Sequence, residues 1–594
     1  MGGALLISGL VGAPAAVADH DAINDCPTIK PVSELARGMV GTGYTVSEGT
    51  EPEAFSVEVL GVLPDGVAPG RDMIMVEAFS PAIDEAGIWA GMSGSPVFVG
   101  GELIGAVAFG LNVPDNVAGV TPAEDMLDVL NKPTTASTQL PRKARLSRSW
   151  RQRIAREARI STSEVGGSVT RLRIPLSVSG LGTRAGFGEV LTDPELGRID
   201  LIKKIMRRER LGFQPYAGAA VAAPTDISSV PLEAGGNFAA AMSYGDVSFA
   251  GVGTTTMVCD GRAVAFGHPF AFQGDTTMGA NHADALGILT GAFDSFKLAT
   301  VEEAVGTVDQ DRLAAIRALT GDLPDLIPIR SVTTALSGQG VRLGESDAVV
   351  QEIVPSLAFS HLFSNIDSVY DEIGEGSSEL SWTVQGTRAS GGTWTLDRSN
   401  MYADDFDISF GSVFEIADQL FVLLNNAFED VEFTGIDTTI NVEPEVKRLS
   451  ITNVLVSTDG ENFKDVRRLR VRRGQTVTLR VELEPSGAGE LETVDLEVRI
   501  PRKAGRNGAI ELGGGQNFAD PLFCLIEGSG CERRIRKDME SFEDFLAFLE
   551  GQPSNNEVVA QLRGGRRFSV QASDSETLDR VVSGRQSISL RIRR

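Results

Sequence analysis

Ser93 stands in the stretch GMSGSPVFVGGELIGAVAFG, residues 91–110, flanked by Gly91, Met92 and Gly94. Hydrolysing an amide through a serine needs an accessible hydroxyl, a base for its proton and donors for the oxyanion. The glycines keep crowding around the hydroxyl low and let the Gly91 and Ser93 amides turn toward one point as an oxyanion hole. A turn with no chemistry is the plainer use of the same residues. The base must come from four histidines, His20, His268, His282 and His361. His20 lies near the start of the chain, and His361 sits in the apolar run AFSHLF, which suits a core position. His268 follows Phe266-Gly267 at the end of an apolar strand and precedes Pro269, a loop position able to aim its ring into a cleft. His282, in MGANHAD, is the reserve candidate.

The segments that must position these residues are mostly short β runs. Over 19–132 come GTGYTVSEG, AFSVEVLGVL and DMIMVEAF, then a hairpin whose Gly100-Gly101 suits a primed turn. TPAEDMLDVL reads as a helix with Thr121 as cap, Pro122 in the first turn, Glu124 completing a capping box, and Met126, Leu127 and Leu130 on one apolar face. Residues 133–165 shift to PTTAST and RKARLSRSWRQRIAREAR, a basic solvated connector open to cleavage over 142–159. β signals return over 166–335 in VTRLRIPLSVSG and GVGTTTMVCDGRAVAFGHPF, with a helical interval at VDQDRLAAIRAL. VGTGYTV at 40–46, VGTTTMV at 252–258 and VGTV at 305–308 hint at related barrel-like halves. Residues 336–445 read as an α+β region with a helix at FEIADQLFVLLNNAF. Residues 446–594, with TVTLRVELEP and VDLEVRI, read as a β-sandwich-like module.

A chain of 594 residues is long enough for several such units. Its 54 basic against 80 acidic side chains, a formal charge of −26, repel phosphate backbones and argue against nucleic acid as the main partner. The opening MGGALLISGLVGAPAAVADH ends an apolar run in Ala16-Val17-Ala18, so residues 1–18 read as a signal peptide and the protein as periplasmic, cell-surface or extracellular. The run is too short and too broken by Gly and Pro to span a bilayer, which leaves membrane contact at most peripheral. Four cysteines fit an oxidising compartment. Cys524 and Cys531 bracket a LIEGSG loop, and Cys26 and Cys259 remain as the second pair. No CxxC or HxxxH spacing points to zinc, and neither a metal nor a cofactor is expected.

AGMSGSPVFVGGELIGAVAFG resembles the serine region of the SpoIVB peptidase family, the sporulation stage IV factor B type of bacterial serine peptidases. GVGTTTMVCDGRAVAFGHPFAFQGDT is similar to that family's histidine region, where a GxGT strand leads into a Gly-His loop. The resemblance covers roughly residues 31–132 and 240–330. It implies a trypsin-like double β-barrel with Ser93 as nucleophile, His268 as general base, and Gly91 and Ser93 as oxyanion donors. Two departures stand out. The family places its histidine segment before its serine segment, whereas here the order is permuted, which chemistry in space tolerates. The family's acid lies upstream of the serine in a Thr-Asp-Pro context, and here FSPAIDEAGIWAGMS puts Ser80 in its place. Glu77, Asp84 and Asp275 are the carboxylates left to take that part, with Ser80 a weak polar substitute.

The expectation is therefore a mainly β chain: a trypsin-like double β-barrel with permuted segments, an α+β region and a C-terminal β-sandwich-like module. Its expected function is that of a secreted or cell-envelope serine peptidase acting through Ser93 with His268 as base, slowed by the missing acid. The alternative is a non-catalytic envelope binding or scaffold protein on the same fold, and the plainest reading is a structural surface protein in which Ser93 and His268 lie far apart. The expected partner is a peptide or protein, held by edge pairing along a strand beside the groove.

Overall fold

The computed structural model of the chain describes residues 26–593 apart from 112, 114, 133–142, 146–147, 158–160, 163–164, 166–167, 181–212, 292–294, 339, 488, 519–538 and 565–568. The signal-peptide segment, His20, Cys524 and Cys531 lie outside the described residues. The chain is mainly β, 53% strand against 15% helix, as its short alternating runs imply.

The serine-bearing half is a closed six-strand barrel in the order Val40–Thr45, Glu53–Ala68, Arg71–Phe79, Val117–Pro122, Glu102–Gly110 and Pro96–Val99. The short strand Pro96–Val99 closes it, pairing Val97 with Gly43 on one side and with Gly105 on the other. Val57, Val59, Ile74, Val76, Val97, Ile104 and Val107 fill the interior, and burying each such side chain contributes roughly 1.5–3 kcal/mol. Gly100 and Gly101 both have positive φ, 65° and 84°, as a primed hairpin turn requires.

The helix after this barrel starts differently from its sequence signature. It spans Ala123–Leu130 with Pro122 as N-cap and no side-chain cap. The Thr121 hydroxyl is engaged elsewhere, donating to the Gly267 carbonyl at 2.6 Å. The Glu124 carboxylate accepts from the Val32 amide at 3.0 Å instead of closing a capping box. Met126 and Leu130 are buried, but Leu127 is 37% exposed and belongs to the outer face. The basic helix Arg148–Glu157 is no free connector either: Trp150, Ile154 and Ala155 are buried against Leu60, Leu63, Met73 and Met75 of the barrel. Its arginines kept the average polar, but three apolar residues on one stripe were enough to dock it.

A second ring of six antiparallel strands runs Asn237–Gly245, Phe249–Cys259, Arg262–Ala265, Ile316–Thr320, Phe296–Asp311 and Gly274–Leu289, and closes where Gly274–Leu289 meets Asn237–Gly245. Phe238, Phe266, Phe270, Met278, Val308 and Ile316 lie in its core. VDQDRLAAIRAL, expected as helical, is the bend of a hairpin inside this ring: Val308 pairs with Ala318 and Asp311 with Ile316. Strand pairing on both flanks of Ile316–Thr320 outweighs the helix propensity of its alanine and leucine.

The two rings share a core of Phe98, Leu103, Ala106, Met126 and Leu130 with Met257, Val264, Ala314 and Ala315. A disulfide joins Cys26 to Cys259. Arg317, buried, donates to the Leu130 and Lys132 carbonyls at 2.9 and 3.0 Å, meeting the free carbonyls at the end of the helix Ala123–Leu130.

The second sheet then runs on without a break at 335–336, through Gly340–Ala348, Ile327–Ala335, Val431–Glu443, Gly376–Arg388 and Thr393–Asp404. The helices Val354–Tyr370 and Phe414–Leu424 pack on it. Beyond 446, two five-stranded sheets enclose Leu449, Val477, Leu479, Val481, Ile510 and Leu562. The helix Phe542–Glu550 crosses back and buries Phe542, Phe545 and Leu549 in the preceding region's core.

Candidate active site

The serine turn hangs from the strand Phe249–Cys259. The Thr254 amide donates to the Ser93 carbonyl at 2.8 Å, the Thr254 hydroxyl to the Gly91 carbonyl at 3.1 Å, and the Thr256 hydroxyl to the Gly94 carbonyl at 2.8 Å. The Gly94 amide is tied to the Val107 carbonyl at 2.8 Å. So close an approach demands glycine: a Cβ on Gly94 would stand 1.9 Å from the Thr254 oxygen, and Gly94 and Gly91 have φ of 99° and 96°. Once these carbonyls are bound, two amides are left over. The N–H groups of Gly91 and Ser93 have no hydrogen-bond partner among the described residues although both residues are buried. Buried amides without partners are rare and costly, so a pair of them beside a serine hydroxyl is a place for a ligand oxygen.

The histidine loop is held just as tightly. Phe266 and Gly267 both lie in the left-handed region, with φ of 69° and 63°. The Phe266 amide donates to the Thr254 carbonyl at 3.2 Å, and Thr121 holds the Gly267 carbonyl. The buried Asp311 carboxylate accepts from the Phe270 and Ala271 amides at 2.7 Å each and from Gln273 at 3.2 Å, fastening the loop beyond Pro269. Burial pushes the Asp311 carboxyl upward while those amides pull it back down. The result is direct contact between the two segments: His268 Nε2 lies 3.0 Å from Ser93 Oγ.

His268 Nδ1 faces the Pro269 carbonyl at 2.8 Å. A carbonyl only accepts, so the ring proton sits on Nδ1 and the Nε2 lone pair receives the Ser93 hydroxyl. A carbonyl thus stands in the place of an orienting carboxylate. None of the expected acids takes that place. Asp275 binds Arg312 at 2.6 Å and Gln310 at 2.9 Å; Glu77 accepts from Asn116 at 3.1 Å; Asp84 is exposed in the first turn of the helix Pro81–Ala86. Ser80 caps that helix, accepting from the Ile83 amide at 3.2 Å.

Burial above all, and the nearby Arg171 cation after it, pull the His268 pKa down to about 3 against the opposing pull of the Pro269 carbonyl. Ser93 is 1% and His268 0% exposed, so the pair is shut from solvent. His282 and His361 have structural partners. His282 meets the Val230 carbonyl at 3.0 Å, and His361 bridges Ser331 and Ser346 at 2.9 Å each.

Two residues near this centre gave no motif-level signal: Asp311, whose carboxylate holds the loop amides, and Lys297; Thr254 is the threonine of the GxGT strand. Lys297 is fully buried, its Cβ 2.8 Å from where a Cβ on Gly91 would stand, with Nζ donating to Asn237 Oδ1 at 2.8 Å. Burial lowers its pKa to about 7.

Among the described residues, no group of three or more His, Cys, Asp or Glu is placed to hold a metal ion, and no helix is long and apolar enough to cross a membrane. In comparisons with known proteins, no protein-family model, no curated protein and no solved structure matches the chain.

Proposed function

We propose that the chain is a serine peptidase of the SpoIVB type, exported to the cell envelope or beyond, built on a permuted trypsin-like double β-barrel and working with a Ser93–His268 dyad. The observation that carries this reading is the 3.0 Å contact between Ser93 Oγ and His268 Nε2 beside two unpartnered amides. In the reaction, Ser93 Oγ attacks the carbonyl carbon of the scissile peptide and its proton passes to His268 Nε2. The Gly91 and Ser93 amides receive the oxyanion, His268 returns the proton to the leaving amine, and water releases the acyl group. The Pro269 carbonyl fixes the tautomer but carries less charge than a carboxylate, so turnover is slow; loss of the orienting acid in a triad costs about four orders of magnitude. The Cys26–Cys259 disulfide is in keeping with an oxidising compartment.

The His268 pKa of about 3 favours a second reading, a binding protein on a peptidase fold, because so weak a base resists taking the serine proton. Hydrolysis of a fluorogenic peptide library by the full chain, compared with Ser93→Ala and His268→Ala, separates the two. Cleavage lost in both variants supports the peptidase; peptide binding that persists unchanged in Ser93→Ala with no cleavage by the parent supports the binding protein.

A further inference from the structure

The strand Glu102–Gly110 leads away from the serine turn, and its edge at Ala108, Phe109 and Gly110, which Pro96–Val99 does not reach, is where an extended peptide would add by backbone pairing. The chain itself takes that edge. Phe109 pairs with Arg171 and Gly110 with Thr170, antiparallel. The Leu172 amide continues the ladder, donating to the Ala108 carbonyl at 3.0 Å. Three residues on, the Pro175 ring lies 3.1 Å from where a Cβ on Gly91 would stand. The segment therefore runs from Gly110, beside Thr170, to Gly91, beside Pro175, and Gly91 lies two residues before Ser93.

Its side chains fit the same picture. Leu172 is buried with Ile83, Trp89 and Met92, and its Cδ2 lies 3.1 Å from where a Cβ on Gly110 would be, so the glycine leaves the space that the leucine fills. Arg171, one residue back, is close enough for its charge to act on the His268 ring. The closure of Ser93 and His268 from solvent is what a filled cleft produces.

We propose that residues 170–175 lie in the peptide cleft of the Ser93–His268 site as an internal substrate-like strand, and that their register names the substrate class. That class is an extended peptide pairing with Phe109–Gly110 and placing a branched apolar residue in the Leu172 pocket, on the acyl side of the bond offered to Ser93. This rests on the peptidase reading for the word substrate, whereas the binding geometry stands on the pairing alone. An external peptide enters only when the internal strand leaves.

The test uses full-length Ser93→Ala protein, so that binding is read without cleavage, and a fluorescein-labelled octapeptide with the sequence of residues 168–175, SVTRLRIP. Adding Leu172→Glu puts a charge in the apolar pocket and expels the internal strand. Fluorescence anisotropy is expected to show at least tenfold tighter binding to the Ser93→Ala, Leu172→Glu protein than to Ser93→Ala alone. Leu172→Ala, a milder change, shifts affinity the same way by a smaller factor and covers the case in which the glutamate variant does not fold. A peptide with aspartate in place of leucine binds at least tenfold more weakly. Equal affinity with and without the Leu172 substitutions, or equal affinity for the leucine and aspartate peptides, overturns the proposal. Absence of cleavage by chains that keep Ser93 and carry Leu172→Glu or Leu172→Ala overturns the peptidase reading and leaves this result untouched.

Discussion

His268 is neutral across the physiological range in the closed site, which makes it free to accept a proton but a poor keeper of one. Each unit of pKa below the ordinary value represents about 1.4 kcal/mol against the imidazolium, and the cause is burial first and Arg171 second. Releasing the strand that carries Arg171 should let the His268 pKa rise toward 6.5. The account therefore predicts that the rate of Ser93 acylation by a fluorophosphonate is flat from pH 5 to 8 in the parent chain, whereas in Leu172→Glu it falls on the acid side with a midpoint above pH 5. Identical profiles count against the link between strand and base. Lys297 gives a second titration. Its folded pKa of about 7 lies below the unfolded 10.5, so the unfolded chain binds the proton more readily between those values and stability falls as pH drops from 10.5 to 7. Lys297→Met should raise the thermal midpoint, by more at pH 6 than at pH 9; a larger gain at pH 9 contradicts the assignment. Asp311→Asn turns one of the two buried oxygens that accept three loop amides into a donor. Leaving a buried hydrogen-bonding group without its partner costs roughly 1–3 kcal/mol, so this variant should lose both stability and Ser93 acylation, read by calorimetry and by labelling.

At the scale of elements, one strand does most of the positioning. Phe249–Cys259 presents Thr254 and Thr256 to the serine turn and the Thr254 carbonyl to the histidine loop, so a single rigid backbone sets both partners. Thr256→Val removes one clamp and should cost about 1 kcal/mol with a measurable drop in acylation. Gly94→Ala drives a methyl to 1.9 Å from the Thr254 oxygen and should abolish folding or acylation outright. This strand also shows what the sequence could and could not tell. GVGTTTMVC marks a strand, and the glycines and serine of GMSGS mark a turn, because those signals are local. The 3.0 Å contact was inferable only as a wager, since nothing in either segment specifies its neighbour. Thr121 misled for the same reason: a capping pattern is local, but the Gly267 carbonyl that claims its hydroxyl comes from far along the chain. VDQDRLAAIRAL likewise has helix-forming residues, but its strand partners lie elsewhere in sequence. The group that orients His268 is not legible in the sequence, because the Pro269 carbonyl carries no side-chain signature at all.

Across the whole molecule, the site exists only where the two rings meet, and what holds the rings together holds Ser93 against His268. The shared core, Arg317 and the Cys26–Cys259 bond do this, the disulfide closing a separation of 233 residues. A native disulfide contributes roughly 2–5 kcal/mol, so Cys26→Ser should lower the thermal midpoint by several degrees; an unchanged midpoint would show that the joint does not depend on it. The domain limits drawn from composition were blurred by packing. The basic helix Arg148–Glu157 docks on the first barrel, and Phe542–Glu550 returns to the α+β core, because a short apolar stripe outweighs the polar average around it.

The central claim is that Ser93 is a nucleophile activated by His268. The most direct measurement is the intact mass and peptide map of the full chain after incubation with a fluorophosphonate, for the parent and for His268→Ala. The account predicts a single adduct on Ser93, slow in the parent, faster in Leu172→Glu and absent in His268→Ala. An adduct on Ser93 that forms equally fast without His268, or none on Ser93 even when Leu172 is replaced, contradicts it.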